Sequence, residues 1–394
     1  MKIGINCTAI DPSYSGGVNS YTVGLLRGFA SLDVSDRFQL YVLPKNRDFF
    51  RDFENNDKIE LIEISDKNNF FKKVVRHSIA LCKQKDLYKN ASNFFHGNIP
   101  DTISRISDIV YTPTTILFPY NYSIPTILSM HDIQQYHYPE FFSKRELLMR
   151  EVSFSLSAKY ISFLQASSTF IKDDLLTHFK NLNQDQIEVI PEGVDTSIFQ
   201  KVSTDDSVRE KYGLPKEFLF FPAQLWPHKN HITVLKALNR IVGKYGKSIP
   251  LVLSGASDGA SKEIFRYIKA EDLTQVYYLG KVPFKDLIQL YKLAKFMITG
   301  VLYESSSLCI LEAAAAGTPV IASKTAPNVE MGKNLRLNLF DPLDEVALSA
   351  LIMELWDDEA NVAEQVSYNL DHIHQYSWSE AASKYMNLFH RVMP

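Results

Sequence analysis

The stretch Phe296-Met297-Ile298-Thr299-Gly300-Val301-Leu302-Tyr303-Glu304-Ser305-Ser306-Ser307-Leu308-Cys309-Ile310-Leu311-Glu312-Ala313-Ala314-Ala315-Ala316-Gly317-Thr318-Pro319-Val320 reads as a strand, a loop, a helix and the start of another strand. Phe296 to Thr299 has strand composition, and Ser306 or Ser307 is the residue type that caps a helix start. Leu308 to Ala316 propagates well as a helix, which Gly317 and then Pro319 stop. Glu304 therefore falls past the carboxyl end of a strand, where open α/β sheets bind ligands. Glu312 falls on the helix, about 7 Å along its axis from a cap at Ser307. The first amides of such a helix point outward at the positive end of its dipole, an arrangement suited to a pyrophosphate.

The same alternation runs in both directions from this stretch. Upstream of it, Phe218 to Pro222, Pro250 to Ser254 and Val276 to Leu279 read as short strands, and Val320 to Ala322 follows it. Helices are predicted near Ile232 to Tyr245, Lys262 to Ala270 and Lys285 to Leu293. Nearer the N-terminus, Lys2 to Ile10, Phe38 to Leu43, Ile59 to Ile64, Ile109 to Thr112, Ile124 to Met130, Ile161 to Ala166 and Ile187 to Ile190 read as strands. Asp11 to Gly17 forms a glycine loop before a helix over Val18 to Phe29, so strand, loop and helix open the chain as well. Strands alternating with helices imply parallel sheets covered on both faces. The pattern breaks around Pro191-Glu192-Gly193-Val194-Asp195, and the polar stretch Lys201 to Ser207 reads as an interdomain linker. The expected division is residues 1–200 and 208–377, with a helix at about 378–394 returning to the first domain.

Composition sets outer bounds. At 394 residues, with 45% hydrophobic and 12% aromatic content, the chain can bury two separate cores. Cys7, Cys82 and Cys309 are too far apart in sequence for a C-x-x-C site and form no disulfide framework. A formal net charge of -3 argues against generic nucleic-acid binding. No apolar run approaches the roughly 18 to 20 residues that span a bilayer. The N-terminus runs directly into a strand without the basic and apolar regions of a secretion signal, so a cytoplasmic location is expected.

Two glutamates separated by seven residues and followed by A-x-x-x-G-T-P-V resemble the donor signature of family-4 retaining glycosyltransferases. That resemblance extends over essentially the whole chain. It implies the GT-B fold, an α/β architecture of two Rossmann-like doubly wound domains facing each other across a cleft. It also implies that Glu304 binds sugar hydroxyls and Glu312 the ribose of a nucleotide, with Ser305, Ser306, Ser307 and Leu308 framing the diphosphate. Phe220-Phe221-Pro222-Ala223-Gln224-Leu225-Trp226-Pro227-His228-Lys229-Asn230-His231 resembles the family's G-R-L-x-x-x-K-G phosphate loop. Lys229 falls on its lysine, which neutralises the departing diphosphate. Gln224 stands where arginine is common; an amide donates one hydrogen bond but no charge, which leaves more of the work to Lys229. In the N-terminal half, Gly16-Gly17 resembles the loop that closes over donor and acceptor, and His131-Asp132 a pair whose histidine contacts the transferred sugar. Glu330, in Asn328-Val329-Glu330, lies where relatives carry a glutamate that helps hold the donor. Ala166 to Lys172 and Pro191 to Asp195 resemble two further landmarks, read here as marks of the fold.

The implied reaction is hexose transfer with retention, without a metal or other cofactor, from a nucleotide-sugar to a hydroxyl of a growing glycan or lipid-linked oligosaccharide. The Trp-Pro-His-Lys-Asn-His loop resembles mannosyltransferase-like members that build bacterial surface polysaccharide, so GDP-mannose is the expected donor, with UDP-sugars and dTDP-rhamnose open. The chain contains no Asp-x-Asp pair of the kind that holds a cation on a diphosphate. His372-x-His374 lacks a third ligand, and Gly246-Lys247-Ser248 precedes a strand where a phosphate loop would follow one. Lys67 to Ala91 mixes aromatic and aliphatic residues with lysines. It fits a basic amphipathic helix resting on the cytoplasmic face of the inner membrane, an acceptor platform, or a surface helix with snorkelling lysines. A catalytically idle sugar-nucleotide-binding partner of another transferase, and an epimerase or phosphorylase of the same architecture, are the rival functions.

Overall fold

The described strands are short, and those at the centre of each sheet are apolar on both sides, as strands buried between helices must be. In β11 (Phe296–Thr299), β12 (Val320–Ser323) and β9 (Leu251–Ser254) every residue is buried. The computed structural model describes residues 1–13, 16–65, 78–79, 84–257 and 261–393. These fall into two units: Met1–Gly193 with Trp378–Pro394, and Val194–Ser377.

The first unit is a seven-stranded sheet in the order β3-β2-β1-β4-β5-β6-β7, every pairing parallel. Its strands are β1 (Lys2–Asn6), β2 (Arg37–Val42), β3 (Ile59–Glu63), β4 (Ile109–Thr112), β5 (Thr126–Ser129), β6 (Phe163–Ala166) and β7 (Ile187–Val189). The helix Gly17–Ser31 follows β1, and the chain's last helix, Trp378–Val392, packs along it. Two glycines permit that approach. A Cβ at Gly24 would lie 2.2 Å from the Trp378 ring, and one at Gly28 would lie 2.3 Å from the Trp378 carbonyl oxygen. Beneath this contact the Tyr21, Tyr111 and Tyr385 hydroxyls and the Ser129 hydroxyl bond one another, with Tyr21 to Tyr111 at 2.9 Å and Tyr385 to Ser129 at 2.9 Å. Four buried polar groups thereby satisfy each other.

The second unit is a six-stranded parallel sheet in the order β10-β9-β8-β11-β12-β13. Besides β9, β11 and β12 it comprises β8 (Leu219–Pro222), β10 (Val276–Tyr278) and β13 (Asn338–Phe340). Alternate residues supply two cores. Phe220, Val252, Met297 and Val320 face the helices Phe284–Leu293 and Leu308–Ala316, while Phe221, Leu253, Ile298 and Ile321 face His231–Tyr245 and Glu345–Trp356. Strand order reverses at β8 and β11, which makes their carboxyl ends the unit's topological switch point.

Several expectations shift. The units part at Gly193 and Val194 instead of at residues 200 and 208. Lys201 to Ser207 is tied to the second unit, because the Asp205 amide donates to Gln289 Oε1 at 2.8 Å and Gln289 Nε2 donates to the Ser203 carbonyl at 2.8 Å. Phe199, on the short helix Thr196–Lys201, is buried in that unit's core. The sixth strand, β13, is absent from the sequence reading: a three-residue edge strand opened by Asn338 carries too little periodicity to register. Most of Lys67 to Ala91, including its first ten residues, lies outside the described residues. No described helix is long and apolar enough to cross a membrane.

Candidate active site

At the switch point of the second unit two loops lie against each other. The loop after β8 ends in the 3₁₀ turn Pro227–Lys229, closed by the Lys229 amide donating to the Trp226 carbonyl at 3.1 Å. The loop after β11 runs through Gly300 to Ser307 and is held to the first by the Leu302 amide donating to the His228 carbonyl at 2.8 Å. Gly300 suits this closeness, since a Cβ there would sit a tight 3.2 Å from the Asn230 carbonyl oxygen and 3.3 Å from Val234 Cγ2. The result is an ion pair between the residues singled out in sequence: Lys229 Nζ lies 3.1 Å from Glu304 Oε2. Glu304 is 9% exposed, and its other oxygen, Oε1, is buried with no hydrogen-bond partner. A buried oxygen left in that state costs about 1–3 kcal/mol, a cost removed by any ligand hydroxyl that donates to it.

The helix Leu308–Ala316 begins directly after this loop, with Ser307 at its cap position and Leu308 its first residue. Serine here was expected to cap the helix, but Ser307 Oγ makes no bond to a helix amide. Its partner is Cys309 Sγ at 3.3 Å, because Ser307 is buried and turned inward. The first turn thus carries no side-chain cap, and it keeps donors available for an anion. Ser305 and Ser306 are half-buried in the preceding turn. The helix closes with Gly317 at φ 74° and the Thr318 amide donating to the Ala313 carbonyl at 2.9 Å.

Glu312 lies on this helix and accepts a hydrogen bond from the Tyr291 hydroxyl at 2.7 Å. Loss of solvent around the carboxyl pushes its pKa up to about 7, against the opposing effect of the Tyr291 bond, although the residue keeps partial exposure to water. Gln224 is half-buried just past β8, and its carbonyl accepts from the Trp226 amide at 2.8 Å. Glu330 is half-buried on the short helix Ala326–Met331, whose neighbouring Asn328 is fully buried and donates to the Ser323 carbonyl at 2.9 Å.

In the first unit, Gly16 caps the helix Gly17–Ser31 in an extended conformation, and among the described residues nothing lies within 4 Å of a Cβ placed on Gly17. His131 follows β5. Its Nε2 is 2.8 Å from the Pro113 carbonyl oxygen, which only accepts, so that nitrogen carries the proton. Burial pushes the imidazole below its ordinary pKa and favours the neutral ring, leaving Nδ1 as an acceptor. Asp132 faces away from that role, accepting from Arg150 Nη1 at 3.3 Å and from the Gln134 amide at 3.3 Å. The two landmark segments do structural work: Ser168 caps the helix Thr169–His178, and Asp195 caps Thr196–Lys201.

Three contributors escaped the sequence reading. Tyr291 is 21 positions before its partner Glu312, beyond any local pattern. Gly255, at φ 144°, brings the loop after β9 so close that a Cβ would meet the Ala223 carbonyl oxygen at 2.3 Å; a glycine directly after a strand was the available sign. Asn230, whose side chain bonds the Gly300 and Pro342 carbonyls, was hidden beside the more conspicuous Lys229.

Residues 204–371 match the family described as Glycosyl transferases group 1, a span within the second unit. The chain is 24% identical over 285 residues to the O-antigen chain mannosyltransferase B of Escherichia coli, covering 72% of this chain and 74% of that protein. It is 27% identical over 247 residues to a probable sucrose-phosphate synthase of Thermosipho melanesiensis, covering 60% of this chain and 56% of that one. Among solved structures, Anabaena Alr3699/HepE in complex with UDP and glucose superposes with a TM-score of 0.74 at 17% identity, over 99% of this chain and 100% of that chain.

Proposed function

We propose that the chain, whose residues 204–371 match the family Glycosyl transferases group 1, is a family-4 glycosyltransferase that transfers a hexose with retention and without a metal. We take GDP-mannose as the first-choice donor and a hydroxyl of a growing glycan or lipid-linked oligosaccharide, in surface polysaccharide synthesis, as the acceptor. The mannosyl assignment draws on the O-antigen relative and on the Trp226-to-His231 loop. UDP-sugars and dTDP-rhamnose are the alternatives.

The observation that carries this reading is the Lys229–Glu304 pair with its unsatisfied Glu304 Oε1, set beside an uncapped helix start. A sugar hydroxyl donating to Oε1 completes the carboxylate. A diphosphate placed at the helix start brings its negative charge to Lys229, which stabilises the charge growing on the leaving phosphate oxygen. Glu312, as a carboxylate, accepts from ribose hydroxyls. In a front-face route the leaving phosphate oxygen takes the acceptor's proton, so no enzyme nucleophile is needed. Gly16, Gly17 and His131 are the first unit's contributors, with Nδ1 accepting from a sugar hydroxyl. Gln224 and Glu330 are assigned auxiliary contacts to the donor.

The test is slow donor hydrolysis, without added metal, using GDP-mannose, GDP-fucose, UDP-glucose, UDP-N-acetylglucosamine, UDP-galactose and dTDP-rhamnose in turn. One nucleoside diphosphate should be released by the wild type, and release should fall on the order of a hundredfold or more in Glu304→Ala. Tight nucleotide binding with no turnover of any donor, even with glycan acceptors present, would favour the idle-partner function.

A further inference from the structure

One side chain that touches neither sugar nor phosphate in the reading above cross-links the loops that carry Lys229 and Glu304. Asn230 lies in the left-handed region at φ 54°, an uncommon conformation for a residue with a Cβ. It stands at the start of the helix His231–Tyr245 yet makes no side-chain bond to that helix's amides. Its Nδ2 instead donates to the Gly300 carbonyl at 3.0 Å and to the Pro342 carbonyl at 2.7 Å, and its Oδ1 accepts from the Thr233 hydroxyl at 2.9 Å. A single amide therefore ties together the loops after β8, β11 and β13. The backbone bond from Leu302 to His228 lies on the other side of Lys229, so the lysine is flanked by both links. At Gly300 the two loops approach closely, a Cβ there lying 3.2 Å from the Asn230 carbonyl oxygen and 3.7 Å from that of Lys229.

We propose that Asn230 is a positioning residue that sets the Lys229 ammonium against the Glu304 carboxylate, and so fixes the spacing between the phosphate-binding charge and the sugar-binding one. This rests on the donor-site reading above. Glycine at 230 would satisfy the backbone angle alone. The additional requirement is a planar group with two donors and one acceptor, which an amide supplies and a carboxylate does not. Asn230 acts through Lys229, so its contribution should vanish when the ammonium is removed.

The experiment is a double-mutant cycle on the full chain, read as calorimetric affinity for GDP, UDP or dTDP, whichever the wild type binds. Asn230→Gly keeps the left-handed angle and removes all three bonds; Asn230→Asp keeps the shape and the Thr233 acceptor and removes both donors. Either substitution is expected to weaken binding by about five- to tenfold in the wild type, the scale of a lost hydrogen-bonded restraint, and by less than about twofold in a Lys229→Met background. Equal weakening in both backgrounds, or none in the wild type, overturns the assignment and makes Asn230 a purely structural clamp. Should one variant fail to fold, the other decides. A wild type that binds none of the three nucleotides overturns the donor-site reading itself and this inference with it.

Discussion

Glu304 and Glu312 show how two carboxylates on one segment acquire different properties. Glu304 is buried but paired, with Lys229 Nζ at 3.1 Å. Glu312 has only a phenol hydroxyl for a partner, and its pKa rises from 4.5 to about 7. The sign of the consequence follows from linkage. Below about pH 4.5 the carboxyl is protonated whether the chain is folded or not, and it has no effect. Between 4.5 and 7 the unfolded chain releases the proton while the folded one keeps it, so stability falls as pH rises and levels off above 7. Glu312→Gln keeps the size and an acceptor for Tyr291 and removes the titration. The difference in unfolding free energy between wild type and variant should therefore change by about 2 kcal/mol across that window, less than full burial would give because some exposure persists. Urea unfolding at pH 4.5, 6 and 8 measures it; parallel stability curves for the two proteins would disprove the raised pKa.

At the level of elements, the helix Gly17–Ser31 has two kinds of glycine. Gly28 meets backbone: an added methyl would lie 2.3 Å from the Trp378 carbonyl oxygen and 3.1 Å from Ala382 Cβ, and neither can yield without moving the last helix. Gly28→Ala should cost about 2–3 kcal/mol. A Cβ on Gly17 meets nothing within 4 Å among the described residues, so Gly17→Ala should change stability by less than about 0.5 kcal/mol. Chemical denaturation of the two variants side by side checks the contrast, and equal stability would show that the two helices can separate at no cost. The glycine expected to matter for a ligand is thus the one packing does not require.

At the scale of the whole molecule, the second unit is one continuous segment, while the first needs both ends of the chain. Ending the chain at Ser377 would remove Tyr385 from the buried hydroxyl cluster and Phe389 from its contacts with Phe29 and Tyr111. Such a truncation should unfold the first unit and leave the second cooperative. Both remaining tryptophans, Trp226 and Trp356, belong to the second unit, so their fluorescence follows it alone while circular dichroism follows both. Reduced ellipticity before any denaturant, with one cooperative fluorescence transition retained, is expected; starting ellipticity equal per residue to that of the full chain would contradict it.

The amino-acid sequence alone determined the alternation of strands and helices, the strand β11 (Phe296–Thr299) and the helix that follows it, and the place of Glu304 past that strand's end, while Lys229 was marked by resemblance to a family loop. Those features are local: hydrophobic period, cap residues and a glycine-proline stop act within a few residues of one another. The parting of the units at Gly193, the sixth strand, the inward turn of Ser307, the Tyr291–Glu312 bond and the Asn230 cross-link were decided only by tertiary structure. The last two depend on groups brought together from distant positions. Asn230 meets Pro342 across 112 positions, and no pattern in sequence records which carbonyl a given amide will find once two loops are pressed together at the end of a sheet.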